Sequence, residues 1–565
     1  MSKNSLHLSI KQRWILLLIA YVVIAFGQPV WSTLLAICAA ILGYAIAWRA
    51  LLSLPTVRQR FWWATSWYAA VSATQLSWLL SHHYSYIYGV HLFFSLVLGL
   101  QFGLLACIIR PQSLGAVRTA WFAASLWVLM EWVRLMPFSG FTWNPIGLTL
   151  TANVIPLQFA SVVGIYGLSF WVMFSNLLLL KAWVWPTVRA WSLAITLTLT
   201  PFLFGVLHLL YHENLQSGLA HEPHLKAVVV QPHFPVEADA PVFTPTEAVL
   251  ASYDRWWKIF EFLKPHLDHE TDLIVFPELS VSLGTFWPIY RQDAIQNYFE
   301  LAFDRSVEQA LAPKEEPYAK EVDTEIGRIW MVSNAYVAQT LANLFSAQVI
   351  IGLQDEEHDE EDAFHVYNAA TQFCPHCTSH ARYEKQVLLP IGEYIPFTFL
   401  ADLAAQYGVG GSFTPGKEAK LFQCPKATFG VSICYEETFG DLMRDNRSRG
   451  AEALINLTND GWYPNSRLAQ QHFDHAKVLS VELGVPLIRA ANTGVSGAVD
   501  SLGHTLIARS EQGPPDSAGP GAFKVDVPLY SYQTIFTLFG DGLVLGISLL
   551  SLCFAWHTHY FRKSG

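Results

Sequence analysis

Long apolar runs separated by short polar or turn segments dominate the chain. Seven crowd its first part, beginning near Trp14, Val30, Trp62, Ile87, Arg118, Leu157 and Arg189, and an eighth extends from Gly542 to about Tyr560. Each is close to the ~20 residues that cross a bilayer core as a helix, which predicts an α-helical membrane bundle of eight transmembrane helices. The first run lacks an A-x-A cleavage site and is followed by many more, so it reads as an anchor. Between Tyr211 and Gly542 no run is long and apolar enough to span, and a separate α/β domain is expected there. The division read from the pattern is a membrane domain over 1–215, a soluble domain over 220–530 and a last membrane helix over 535–565.

From Lys226 the period shortens. The runs KAVVVQ, DLIVFPE, AQVIIGLQ, VYNAATQF, HARYEKQVLLP, KATFGVSICYE, AEALINLTND, VPLIRAAN, SGAVDS and GAFKVDV read as strands bounded by turn residues, with helical patterns over Pro245 to Phe262 and Arg467 to Leu483. This alternation predicts a layered α/β domain.

Composition supports a membrane protein: 52% of the 565 residues are hydrophobic, 14% are charged and 21 are tryptophan. The net charge of −10 is uneven, because the first two hundred residues hold few acids while the middle carries runs such as DEEHDEED at 355–362. That run reads as a solvated loop. Basic residues in the short loops set orientation. Lys3, Lys11, Arg13, Arg49, Arg58, Arg60, Arg110, Arg118, Lys181, Arg189, Arg562 and Lys563 fall on one side if eight helices alternate; the opposite connections hold only Arg134. The soluble domain is expected on that second, outer side. Glu131 and Arg134, three apart, are expected to pair on a helix near the outer face. No phosphate-binding Walker loop follows a strand and no basic cluster points to nucleic acid.

Three strands end in residues fit for acyl chemistry: Glu278 in VFPELS, Lys385 in YEKQVLLP and Cys434 in SICYEE. A thiol with an ordinary pKa of about 8.5 is mostly protonated near neutrality, so attack on a carbonyl needs a base. Glu278 is fit for that role, while Lys385 and the amide after Cys434 are fit to stabilise the oxyanion that forms. Taken alone, a cysteine closing an apolar strand is more often core, and single charges are more often solvated.

The local strings decide between these readings. PE after an apolar strand, YEKQVLLPIGEYIPF and GVSICYEE resemble the three motifs of the nitrilase superfamily, in which Glu, Lys and Cys form a triad on an αββα sandwich. LTNDGWY, QQHFDHAKVLSVELGVPLIRAANTGVSGAVDSLG, EWVRLMPFSGFTWNPIG and GIYGLSFWV are similar to the apolipoprotein N-acyltransferase family within it. This resemblance implies Glu278 as general base, Lys385 as oxyanion stabiliser and Cys434 as nucleophile. Glu393 matches a second glutamate near the nucleophile, and Tyr435 and Glu436 match residues that shape its pocket. It further implies ping-pong transfer of a fatty acyl chain from a membrane phospholipid to the N-terminal diacylglyceryl-cysteine of an apolipoprotein, with no metal or cofactor. The implied location is the bacterial inner membrane, with the catalytic domain periplasmic and both termini cytoplasmic. A membrane-tethered amidase or lipid hydrolase using the same triad with water is the alternative. A transporter carrying an inactive domain would instead leave Cys434 dispensable.

The match has gaps. VVVQPHFP lacks the glycine and asparagine that commonly follow the glutamine, NDGWYPNSRL departs from the usual flanks of its tryptophan, and residues 301–330 look enlarged. Loops 284–290 and 397–413 are apolar enough to dip into a membrane interface or to pack in the core. Cys374 and Cys377 form CPHC between two predicted strands of a hairpin; a disulfide, free thiols, redox exchange or a metal site with His380 all fit.

Overall fold

The computed structural model describes residues 7–218, 223–236, 244–268, 270–325, 327–358, 362–377, 379–396, 413–510 and 519–561. Most of the apolar 397–413 loop and part of the acidic 355–362 run lie outside these residues. The chain divides into two compact units.

The first unit, residues 1–219, 465–484 and 533–565, is helical. The predicted runs become helices Ile10–Ala25, Thr33–Leu51, Val57–Gln75, Ile87–Cys107, Val117–Val133, Ala160–Val184, Val188–Ser217 and Gly542–Phe561. Starts are fixed by side chains that accept otherwise orphaned N–H groups: Ser9 from Gln12, Thr56 from Gln59 and Thr187 from Ala190. Among the described residues, four helices, Thr33–Leu51, Ile87–Cys107, Ala160–Val184 and Val188–Ser217, are long and apolar enough to cross a membrane, with mean hydropathy of 1.8 to 2.0. The fourth of the predicted helix starts, near Ile87, is met to the residue.

Glu131 and Arg134 depart from expectation. Rather than bonding to each other, Glu131 accepts from the Trp127 indole at 2.8 Å and the Ile146 amide at 2.9 Å. Arg134 donates to Gln101 at 2.9 Å and to the Asn144 carbonyl at 3.2 Å. Asn144 in turn donates to Gln75. These side chains form a buried polar network in place of the expected pair. Helix Leu468–Leu483, predicted from its period, clusters with this unit: Gln471 donates to the Trp143 carbonyl, and Glu482 accepts from the Ile165 amide at 2.7 Å where helix Ala160–Val184 breaks at Gly164.

The second unit, residues 220–464 and 485–532, is built on strands β1 (His224–Gln231), β2 (Leu273–Val275), β3 (Tyr290–Arg291), β4 (Ala319–Thr324), β5 (Gly327–Val332), β6 (Gln348–His358), β7 (Phe364–Phe373), β8 (Ala381–Glu384), β9 (Leu421–Gln423), β10 (Thr428–Ile433), β11 (Ala453–Thr458), β12 (Leu487–Ala491), β13 (Val495–Val499), β14 (Thr505–Ser510) and β15 (Gly521–Pro528). One six-stranded sheet has the order β15-β1-β2-β6-β7-β8 and the other β9-β10-β11-β12-β13-β14. Both run through the same series of pairings: antiparallel, parallel, parallel, antiparallel, antiparallel.

The sheets pack face to face. Ala227, Val229, Val275 and Ile350 from one meet Val431, Ile433, Ile455 and Leu457 from the other in a single buried cluster. The alternate residues Val228, Val230, Ile274 and Ile351 face helices Pro245–Leu263 and Asn334–Phe345, packing with Trp256, Phe260 and Leu341. From Ala227 to Val230 both faces of β1 are therefore dry, which is why that stretch is an uninterrupted apolar run. Helix Gly440–Ser448 lies over β10. The stretch 301–330 holds the end of helix Gln292–Phe303, β4 and most of β5, and these two strands form a third, small sheet with β3 in the order β3-β5-β4.

Candidate functional site

Glu278 stands three residues beyond β2, after Pro277, and Leu279 has φ of +46°. The backbone there lies against β6. A Cβ on Gly352 would come within 2.6 Å of the Pro277 carbonyl oxygen and 2.7 Å of the Glu278 Cα, so only glycine admits this approach. Lys385 follows β8 directly, and its amide donates to the Asn368 carbonyl on β7 at 2.9 Å. Cys434 follows β10 and opens a short 3-10 turn with φ of +56°. Left-handed backbone at a non-glycine residue costs about 1 kcal/mol or more; here it lies where the chain leaves a strand and turns sharply into a helix.

The structure gathers four of the six predicted residues tightly. Lys385 Nζ lies 2.8 Å from Glu393 Oε1 and 3.2 Å from Glu278 Oε1, and the lysine is almost wholly buried. Its ammonium sits 5.8 Å from the centre of the Tyr435 ring, whose hydroxyl donates to the Leu388 carbonyl at 3.0 Å. Glu393 also accepts from the Leu389 amide at 2.7 Å, which fixes the loop carrying it.

The fifth, Glu436, is a bracket. One carboxylate oxygen accepts from the Gln386 and Val387 amides at 2.7 and 2.9 Å; the other accepts from the Ile433 amide at 2.8 Å and the Tyr383 hydroxyl at 2.9 Å. It thereby ties the segment after Lys385 to the segment before Cys434. Burial pushes this carboxyl up to about 7, against the pull of Lys385 and the three amides.

Cys434, the sixth, enters through charge. Burial pushes its thiol up, the Glu278 charge adds to this and Lys385 opposes it; Asp460 and Glu393 also raise it. Burial likewise raises the Glu278 carboxyl, while Lys385 and the Asn368 hydrogen bond lower it and Glu393 raises it. For Lys385 burial works downward, but Glu278, Glu393 and Cys434 outweigh it and hold the ammonium well above its ordinary value. The site therefore pairs a neutral thiol with a carboxylate of strengthened basicity beside a fixed positive charge.

Sequence reading missed two groups. Asn368 donates from Nδ2 to Glu278 at 2.8 Å and to Glu393 at 2.9 Å, so one amide spans both carboxylates. Arg489, in β12, lies 2.9 Å from Glu437 and 3.3 Å from Asp460, with its side chain completely buried. A lone Asn or Arg inside an apolar strand was the available signal. Cys374 and Cys377 are joined by a disulfide in the β7–β8 hairpin, which selects one of the alternatives open at the sequence level.

A domain family described as carbon-nitrogen hydrolase matches residues 255–511, and one described as apolipoprotein N-acyltransferase N-terminal domain matches residues 14–178. A Chlamydia muridarum protein named apolipoprotein N-acyltransferase is 31% identical to the chain over 554 residues, covering 94% of this chain and 95% of that protein. The chain belongs to the apolipoprotein N-acyltransferase family. A Haemophilus influenzae member of the same name is 28% identical over 451 residues, covering 75% of this chain and 74% of its own. Among solved structures, Saccharomyces cerevisiae Nit3 of the nitrilase superfamily aligns at 18% identity and a TM-score of 0.34, over 56% of this chain and 93% of that one. The second unit, with two sheets face to face and helices packed on their outer faces, is an αββα sandwich, and most of it lies within the carbon-nitrogen hydrolase match.

Proposed function

We propose that the chain completes bacterial lipoproteins by moving an acyl group from a membrane phospholipid, through a thioester on Cys434, to the N-terminal amine of a diacylglyceryl-cysteine. The observation that carries this is the buried Lys385 ammonium held between Glu278 and Glu393, with the Cys434 thiol under the influence of all three, in a chain of this family.

In the first half-reaction Glu278 takes the thiol proton as sulfur attacks the ester carbonyl. The oxyanion forms beside Lys385, which needs no reorganisation because its position is already fixed by two carboxylates. Collapse breaks the ester C–O bond, and the departing lysophospholipid oxygen receives the proton from Glu278. In the second half-reaction the acceptor amine attacks the thioester and gives a proton to Glu278. The C–S bond then breaks, and the thiolate takes that proton back from Glu278, which restores the thiol and the carboxylate. Glu393 and Asn368 hold Lys385 and Glu278 in register, and Tyr435 and Glu436 shape the turn.

Both substrates are lipids, and drawing an acyl chain into water costs about 0.8 kcal/mol per CH₂. A catalyst joined to eight membrane helices avoids that cost. In this reading the protein lies in the inner membrane with the catalytic unit periplasmic and both termini cytoplasmic, as the distribution of basic loop residues supports.

Peptide mass spectrometry after incubation with phospholipid tests the proposal. One acyl chain is expected on the Cys434 peptide; Cys434→Ser abolishes it and Glu278→Gln slows it strongly. A diacylated lipopeptide then becomes triacylated. Release of free fatty acid with no triacylated product would instead establish a hydrolase.

A further inference from the structure

The matched series of pairings makes β1 the counterpart of β10, β2 of β11 and β6 of β12. Under this correspondence Glu278, three residues beyond β2, has a counterpart: Asp460, two residues beyond β11. Both carboxylates are buried. Glu278, Lys385, Asp460 and Glu393 are among the charged groups that act on the Cys434 thiol, so the two counterparts bear on the same sulfur. An unrestrained second carboxylate there would compete for the thiol proton and repel the thiolate.

Their partners differ. Glu278 is bound by Lys385 and Asn368. Asp460 is bound by Arg489, whose other arm reaches Glu437, three residues after the cysteine in the same turn. The backbone is cut to fit: Gly494 has φ of +104°, and a Cβ there would lie 2.3 Å from Asp460 Oδ2. The glycine leaves room for Asp460 to reach the arginine. Four carboxyls are thereby paired with two cations, Glu278 and Glu393 with Lys385 and Glu437 and Asp460 with Arg489, and losing Arg489 would leave a single cation against four.

We propose that Arg489 is a positioning residue for the nucleophile: by pairing with Glu437 and Asp460 it neutralises the carboxylates of the Cys434 turn and the loop after β11, leaving Glu278 as the group that receives the thiol proton. This rests on the reading of Cys434 as nucleophile.

The test uses the full chain in detergent. Alkylation of Cys434 by iodoacetamide is followed by peptide mass spectrometry across pH, in parallel with acyl-enzyme formation from phospholipid micelles. Arg489→Met is expected to move the alkylation midpoint up by about one pH unit and to slow acyl-enzyme formation ~10- to 100-fold, since a lost cation disfavours the thiolate. Glu437→Gln, which removes a negative charge, is expected to move the midpoint down. The neutral combination Arg489→Met, Glu437→Gln and Asp460→Asn is expected to return it toward the parent value. An unmoved midpoint in Arg489→Met, or a combination that stays where Arg489→Met lies, overturns the proposal. If Arg489→Met does not fold, Glu437→Gln decides, and an unmoved or raised midpoint overturns it. Should the alkylation shifts occur while the parent forms no acyl-enzyme, the role of Arg489 stands and the phospholipid reading fails.

Discussion

Asn368 reaches two carboxylates with one nitrogen, so its removal strips a hydrogen bond from Glu278 and from Glu393 together. Hydrogen bonds to charged groups contribute about 1.5–3 kcal/mol. Asn368→Ala is therefore expected to slow thioester formation ~10- to 100-fold, measured in single-turnover acylation, while thermal unfolding stays cooperative. The pH response follows from the same contacts. Burial raises the Glu278 carboxyl, so with Glu278 in the proposed role of base, acylation should increase with pH through a midpoint above the ordinary value of about 4.3 for glutamate. Glu393 raises Glu278 further and also holds Lys385 up. Glu393→Gln should consequently lower both limits of the pH–rate profile, the acidic one set by Glu278 and the alkaline one set by Lys385. A profile unchanged in both limits would show that Glu393 exerts no charge effect.

Elements position these residues by backbone contact as much as by side chains. Gly352 in β6 is the clearest case, because the segment bearing Glu278 rests where its Cβ would be. Gly352→Ala should depress acylation by about tenfold or more, since small displacements of a reacting group are costly, with circular dichroism unchanged. The strands themselves were legible: runs such as KAVVVQ and VSIC have the length and β-branching of doubly covered strands, and the strings at their ends marked Glu278, Lys385 and Cys434. Other features were not. VYNAATQF shows that Asn368 sits in a strand, but not that its face meets two carboxylates brought from residues 278 and 393. The 3.6 period revealed helix Leu468–Leu483, yet periodicity carries no record of the partner, and the helix packs with the helical unit. Glu131 and Arg134 read as a pair from spacing alone, because sequence does not show that Trp127, Gln101 and the 144–146 backbone would reach them first.

For the whole molecule, charge asymmetry gives a direct test. Residues 1–212 contain eleven Lys and Arg but only one acid, Glu131. With cysteine introduced singly, Gln112→Cys should be labelled by a membrane-impermeant maleimide only in inside-out vesicles, and His83→Cys only in right-side-out ones. Labelling of both from one side would refute the proposed topology. The two matched sheets bear on how the protein tolerates change. Glu278, Lys385, Cys434 and Asp460 all emerge where a strand finishes, and β2, β8, β10 and β11 deliver them there. Along the parallel strands β2, β10 and β11, sequence drift at the beginnings is thus expected to register in melting temperature, whereas drift at the ends registers in turnover, so that these strands keep durability and chemistry at opposite poles of the same scaffold.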